Sequence, residues 1–487
     1  MAETNLKIDF TKNIGAVKPI HGINNAPVIG GEACVNSALF HYMKEAGIPF
    51  SRLHDTGFIN KFVDICYIFP NFDADENLPS SYDFTFTDIL IRELVKYGME
   101  PFYRLGNTIE NAANIKAYNV FPPKDFSKWA RVAEHIIMHY NEGWADGFYY
   151  GIKYFEVWFE PDVYYDPNNI AQTWHGTREQ YFEFYDTVSK HLKSRFGDKI
   201  LVGGYASIGF KDNEVWDPNL EGVNPKYANK SSPWAYRIDY AHKFLSFVKE
   251  RDCPLDYFSW HAYTFNMDDL ASRISFARRI LDKYGFTETP SILNEWNVCV
   301  GVDKQNRISP SVYKDEKVNI PGVETTGNVT HLGPEFRGTP RVFSAVLAAM
   351  ITMQRLKVDL ACYYDARISY SSYCGMINPL DLKPFKTYYA FKSFNSAFKL
   401  GCEVVTESND EDVFVLGARS ENKGVIIISN YSEISKKIKL DVNGASADDG
   451  EVIITDSEYT YTMLDKIISD SALTVKPYSC IEIRYNL

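Results

Sequence analysis

The chain has 487 residues, 45% of them hydrophobic and 23% charged, enough for one large domain and a smaller module, each with a real core. Its 51 Lys and Arg against 63 Asp and Glu give a formal charge of −12, which argues against nucleic acid and anionic membranes as partners, since both call for basic patches. No run approaches the roughly 18 apolar residues of a membrane-spanning helix, and the opening MAETNLKIDF has no apolar signal core. The compartment is left open: cytoplasmic as the sequence stands, periplasmic or secreted if a signal has been removed.

The opening LKIDFTKN (6–13) alternates like a strand. From about residue 19 to 400, strand-like and helix-like runs take turns. The predicted strands are PIHGIN (19–24), FSRLHD (50–55), EPFYRLG (100–106), KYFEVWFE (153–160), ILVGGYA (200–206), DYFSWHAY (256–263), PSILNEW (290–296) and DLACYYDA (359–366). These apolar, β-branched and aromatic runs suit strands buried on both faces. Between them, DILIRELVKYG, KDFSKWARVAEHIIMHYNEG, REQYFEFYDTVSKHLKSRFG, YAHKFLSFVKE, LASRISFARRILDKYG and RVFSAVLAAMITMQRL repeat apolar residues at three and four. Eight such strands in alternation with helices predict an α/β fold, a (β/α)₈ TIM barrel over 13–400. The alternative is a doubly wound open sheet. It would carry a Gly-rich phosphate loop after its first strand, and HGINNAPVIGG does not match one. The polar, Gly- and Pro-bearing 301–340 follows the seventh strand and is expected to wall the catalytic face. Beyond residue 400, DVFVLGARS, KGVIIISNYS, KKIKLDVNG, GEVIITDS, ALTVKPYS and CIEIRYNL predict a small antiparallel β-sandwich over 401–487, joined by residues 1–12.

Aromatic residues make up 15% of the chain. Part of that is core, and part suits a cleft that stacks rings on sugar C–H faces. The eight cysteines form no CxxC pair and no Cys/His zinc spacing, which predicts free thiols, with Cys66, Cys299 and Cys362 among apolar neighbours.

Two glutamates carry the chemistry. Glu160 closes the fourth predicted strand and Glu295 lies at the end of the seventh. In a barrel, function gathers at the C-terminal strand ends. Two carboxylates placed there across the mouth are the machinery of glycoside hydrolysis, one as proton donor and one as nucleophile. Each alone also reads as a solvated strand end or a capping acid. Pro161 restricts the backbone of Glu160, and Asp162 is near enough to tune it by charge. His54 and Arg52, ending the second strand, are candidates to meet sugar hydroxyls, with a core histidine as the alternative for His54. His261 and Tyr263 end the sixth strand, where the phenol of Tyr263 is placed to donate to Glu295 and keep it ionised. Trp158 and Trp296 flank the glutamates, as sugar platform or as packing. Asp365 is expected to pair with Arg367, and Glu335 and Arg337 are further candidates in the long loop.

These motifs resemble glycoside hydrolase family 39 of clan A, the β-xylosidase and α-L-iduronidase family. WFEPD (158–162) is similar to the clan's Asn-Glu-Pro acid/base motif, and LNEWN (293–297) to its nucleophile motif. RLHD (52–55) resembles the segment lining the sugar subsite, SWHAY (259–263) the His-x-Tyr of strand six, and NFDADENLPSSYDFTFTDILIRELVKYGMEPFYRLG the lead into strand three. The resemblance spans most of the chain. It implies an exo-acting, retaining glycosidase with Glu160 as acid/base, Glu295 as nucleophile, a glycoside or oligosaccharide substrate with β-xylosides as default, and no cofactor or metal. Glucosides, arabinofuranosides and uronides stay open. One position departs: Phe159 stands where the clan has an Asn that donates to the sugar 2-hydroxyl. Three accounts stand open. The substrate presents its 2-position differently, another residue such as Asn107 or His54 substitutes, or the protein is a weak or inactive carbohydrate-binding relative. A metal-dependent hydrolase built on His54, Asp55 and His261 is a further class, for which the usual bridging ligand cluster is not visible.

Overall fold

The first strand, β1 (Glu3–Ala16), stands apart from the eight that follow it. Those eight are β2 (Gly22–Asn24), β3 (Phe50–Leu53), β4 (Glu100–Leu105), β5 (Tyr154–Val157), β6 (Leu201–Ser207), β7 (Tyr257–Tyr263), β8 (Ser291–Asn297) and β9 (Leu360–Tyr363). They run parallel and in order, and β9 closes on β2 with Gly22 opposite Cys362. The closed ring excludes the open, doubly wound sheet and establishes the barrel expected from the sequence. The computed structural model describes residues 3–28, 37–54, 63–107, 120–162, 173–210, 233–298, 339–369 and 374–487. Asp55, Cys299, Glu335, Arg337 and the expected catalytic-face wall up to residue 338 lie outside the described residues.

The described helices are α1 (Phe40–Glu45), α2 (Ile65–Ile68), α3 (Thr85–Lys96), α4 (Phe126–Asn141), α5 (Arg178–Phe196), α6 (Pro233–Glu250), α7 (Met267–Lys283), α8 (Pro340–Arg355) and α9 (Lys386–Leu400). Their sequences explain them. In α3, Thr87, Leu90, Ile91 and Leu94 make one buried stripe against the barrel. Thr177 and Gln180 form a reciprocal capping box that starts α5. Helix α9 falls outside the predicted set. Its buried face is built from Tyr388, Phe391 and Phe394, aromatic residues that also suit strands.

The remaining strands are β10 (Cys402–Ser408), β11 (Val413–Arg419), β12 (Lys423–Asn430), β13 (Lys436–Asn443), β14 (Glu451–Thr455), β15 (Thr462–Leu464), β16 (Ala472–Val475) and β17 (Ser479–Asn486). With β1 they form one nine-stranded sheet in the order β15-β14-β17-β12-β11-β10-β1-β13-β16. Ile8, Val404, Ile428, Leu440, Ile454 and Ile481, drawn from both ends of that order, share a single core, so the sheet folds over on itself as a sandwich does. All its pairings are antiparallel except β1 with β13. The sequence pattern did not offer β10 and β15: CEVVTES carries two glutamates, and β15 has three residues. The sheet docks on the barrel helices. Arg355 donates to the Val415 carbonyl at 2.6 Å and Gln354 to Glu403 at 2.6 Å.

Candidate active site

Inside the barrel the side chains change character along the strands. Phe102, Tyr257, Ile292, Leu360 and Cys362, with Phe50, Tyr154 and Leu201 beside them, pack an apolar plug. Two residues further along β3, β4, β5, β7 and β8 stand Arg52, Arg104, Glu156, Ser259 and Asn294, all fully buried. Strand alternation makes this layering compulsory, since every second residue returns to the interior. Arg52 donates from Nε and Nη2 to Glu156 Oε2 at 2.9 and 2.6 Å. Its Nη1 reaches upward to Glu295 Oε2 at 3.1 Å and sideways to Asn24 Oδ1 at 2.9 Å. Burial alone would lower the affinity of Arg52 for its proton, but the charges of Glu156 and then Glu295 outweigh it and raise its pKa.

Glu295 sits within β8, two residues before its end, and Tyr263 of β7 donates to its Oε1. Glu160 lies three residues beyond the end of β5, on a turn where Trp158 has φ +73° and Glu160 φ +39°. Such left-handed backbone is strained for residues with side chains and persists where neighbours hold it. Here Trp158 N–H donates to the Leu105 carbonyl at 2.7 Å, Glu160 N–H to Ala206 at 3.1 Å, and the Thr173 hydroxyl to the Glu160 carbonyl at 2.5 Å. Asp162 completes the hold, accepting from Ser207 Oγ at 2.6 Å and Ile208 N–H at 3.1 Å. Gly106 (φ +150°) permits the close approach of the strands, since a Cβ there would stand 3.2 Å from the Trp158 backbone.

The two glutamates meet across the mouth. One oxygen of each and a nitrogen of His261 lie within 4.8 Å of one another. His261 Nδ1 is 2.6 Å from Glu160 Oε1 and 3.6 Å from Glu295 Oε2. Among the described residues these three form the one His/Cys/Asp/Glu grouping close enough to share an ion. Within the group, His261 and Glu160 are hydrogen-bonded to each other. His54 Nε2 stands 3.7 Å from Glu295 Oε2.

The carboxyls differ in surroundings. Burial first, then the charges of Glu295 and Asp162, push the pKa of Glu160 well above the ordinary carboxyl value, against the pull of Arg237 and Arg52. Glu295 faces an arginine and a phenol that both donate to it. Burial, then Arg52 and His54, hold His261 well below its usual value, so its ring is neutral.

Phe159 is 2% exposed, its ring centroid 4.0 Å from that of His54 and 5.9 Å from that of His261. Asn107 follows the end of β4; it is buried, and neither amide atom has a hydrogen-bond partner among the described residues. Trp296 departs from the expected sugar contact. Strand alternation turns it away from Glu295, and it packs in the apolar core edge-on to Tyr363. Trp158 is likewise buried, donating to the Thr173 carbonyl at 2.9 Å. Asp365 pairs with Arg367 and accepts from Asn25 at 2.8 Å.

Residues 33–301 match the family model described as glycosyl hydrolases family 39. The chain belongs to that family. A "Beta-xylosidase" of Geobacillus stearothermophilus is 26% identical over 209 residues, 40% of this chain; the match spans about a third (34%) of that relative's length. Among solved structures, a glucosidase from Croceicoccus marinus shares the fold with a TM-score of 0.73 at 19% identity, covering 100% of this chain and 99% of its own. The GH39 enzyme from Xanthomonas axonopodis pv. citri gives 0.63 at 14%, covering 100% and 98%. A monomeric beta-xylosidase from Caulobacter crescentus gives 0.62 at 14%, covering 100% and 99%.

For this family 39 chain, sequence reading missed Asn24, Glu156, Ser259, Asn294 and Arg237. A signal was present for Glu156: a lone glutamate inside the apolar run YFEVW, opposite in charge to Arg52 inside FSRL.

Proposed function

We propose that this protein is a retaining, exo-acting glycoside hydrolase. The observation that carries the reading is the meeting of Glu160 and Glu295 oxygens within 4.8 Å. Retaining glycosidases hold their carboxyls about 5–5.5 Å apart, whereas inverting ones leave about 6.5–9.5 Å for a water. The unlike surroundings support unlike roles. Glu160, kept protonated by burial and by Glu295, protonates the leaving oxygen. Glu295, ionised beside Arg52 and Tyr263, attacks the anomeric carbon and forms a glycosyl-enzyme. The Glu160 carboxylate then takes a proton from water, which releases the sugar with net retention. His54, Phe159 and Asn107 line the rim from neighbouring strand ends as the sugar-facing candidates.

The default substrate is a β-xyloside, by likeness to the Geobacillus and Caulobacter proteins named above; exo action rests on the family resemblance. An aryl-glycoside panel, with the first-formed product followed by proton NMR, tests both sugar and stereochemistry. Release of the inverted anomer would overturn the mechanism. Calorimetric sugar binding without turnover on any glycoside would select the carbohydrate-binding reading, for which Phe159 is the motive.

A further inference from the structure

Beneath the nucleophile, one guanidinium is shared between two carboxylates. Arg52 commits Nε and Nη2 to Glu156 Oε2, at 2.9 and 2.6 Å, and offers Glu295 only Nη1 at 3.1 Å. Glu156 is itself pinned: its Oε1 accepts from Ser259 Oγ at 2.6 Å and from Asn294 Nδ2. Asn24 takes a further hydrogen bond from Nη1 at 2.9 Å. Of these six residues five are fully buried, and Glu295 is 4% exposed. A buried arginine facing a single carboxylate would close on it with both prongs of its fork. Here the fork edge is already taken.

We propose that Glu156 is a positioning residue that divides Arg52 between two carboxylates, leaving Glu295 one guanidinium N–H and enough basicity to attack. The proposal rests on the glycosidase reading above. A carboxylate that receives the whole charge of Arg52 holds protons more weakly and is a poorer nucleophile.

Among the described residues, charged and titratable groups from several strands face this pair. Around Glu295 stand Arg52 and His54 at the end of β3, His261 and Tyr263 of β7, and Glu160 beyond β5. Around Glu156 stand Arg52, Ser259 and Asn294, with Tyr257, Cys362 and Tyr181 the further titratable groups that sense its charge. None of these changes in the variants below except where named, so the difference reads Glu156.

The experiment is an NMR titration of full-length protein carrying ¹³C-glutamate, with Glu295→Gln to assign the Glu295 carboxyl, beside pH profiles of kcat/KM. In Glu156→Gln the Glu295 titration and the acidic limb should both fall by about one pH unit, with kcat down about tenfold and KM little changed. Glu156→Asp, which keeps the charge, should stay close to the parent. Ser259→Ala keeps the buried charges and removes a donor from Glu156; Glu156 then grips Arg52 harder, and Glu295 should titrate upward. An unmoved Glu295 in a folded Glu156→Gln, equal shifts in the Gln and Asp variants, or a downward shift in Ser259→Ala would each overturn the proposal. The titration decides it without turnover, so a parent protein that hydrolyses nothing would remove the glycosidase reading alone.

Discussion

His261 and Glu160 are joined by a single hydrogen bond, Nδ1 to Oε1 at 2.6 Å, and both are buried. The other ring nitrogen, Nε2, has no hydrogen-bond partner among the described residues. A buried lone pair is better tolerated than a buried, orphaned N–H. The proton of the neutral ring therefore sits on Nδ1 and is donated to Oε1. The acid proton of Glu160 is left to Oε2, so His261 selects the oxygen that delivers it. After delivery the same N–H stabilises the carboxylate that must act as base.

The two glutamates should fail differently. Glu295→Ala should abolish turnover of every substrate. Glu160→Ala should lose about 10²–10⁴-fold on alkyl glycosides and little in the first step on aryl glycosides with good leaving groups. Azide should restore its turnover by replacing the activated water. Equal losses across leaving groups would reassign the roles.

The basic limb of the pH profile reports Glu160. Asp162 faces it with a like charge, which raises its pKa, and is fastened by Ser207 and Ile208. Asp162→Asn removes the charge and keeps an acceptor. The basic limb of kcat/KM should move to lower pH while the acidic limb stays. Movement upward, or none, would remove Asp162 from the tuning of the acid.

Glu160 should also cost stability. Its folded pKa is raised above its unfolded one. The folded state therefore binds the extra proton, and stability falls as pH rises from the unfolded value through the folded one. Glu160→Gln escapes that loss. It should melt higher than the parent at neutral pH by about 1–2 °C, with the gap shrinking toward pH 4. Calorimetry at several pH values checks the sign.

Phe159→Asn tests the apolar wall beside the acid. If the subsite is shaped around the ring, which packs on His54 at 4.0 Å between centroids, the change should not raise kcat/KM on any glycoside. A rise above tenfold on β-xylosides, about 1.4 kcal/mol of transition-state stabilisation, would mark the ring as a lesion rather than an adaptation.

The barrel was legible because parallel strands buried on both faces leave unbroken apolar runs, and all eight were found within a few residues. Glu160 and Glu295 stood out as carboxylates where such runs end. Trp296 did not reveal its direction, because a strand buried on both faces shows no alternation to read. The pairing of Glu156 was hidden for another reason: its partner Arg52 is 104 residues away in sequence, and only barrel closure brings them together. The parallel pairing of β1 with β13 was equally invisible, since the strand pattern carries no record of its neighbour.

That pairing bears on how the chain is made. β1 has two neighbours in the sheet, β10 and β13, and they begin at Cys402 and Lys436. On the ribosome, the whole barrel emerges before either exists. Strand β1 must wait with its backbone edge unpaired while the barrel between it and its partners is translated, an invitation to wrong partners that contact order makes slow to resolve. Thr4, Leu6, Ile8 and Phe10, buried in the finished sheet, are the stretch a chaperone would find bare.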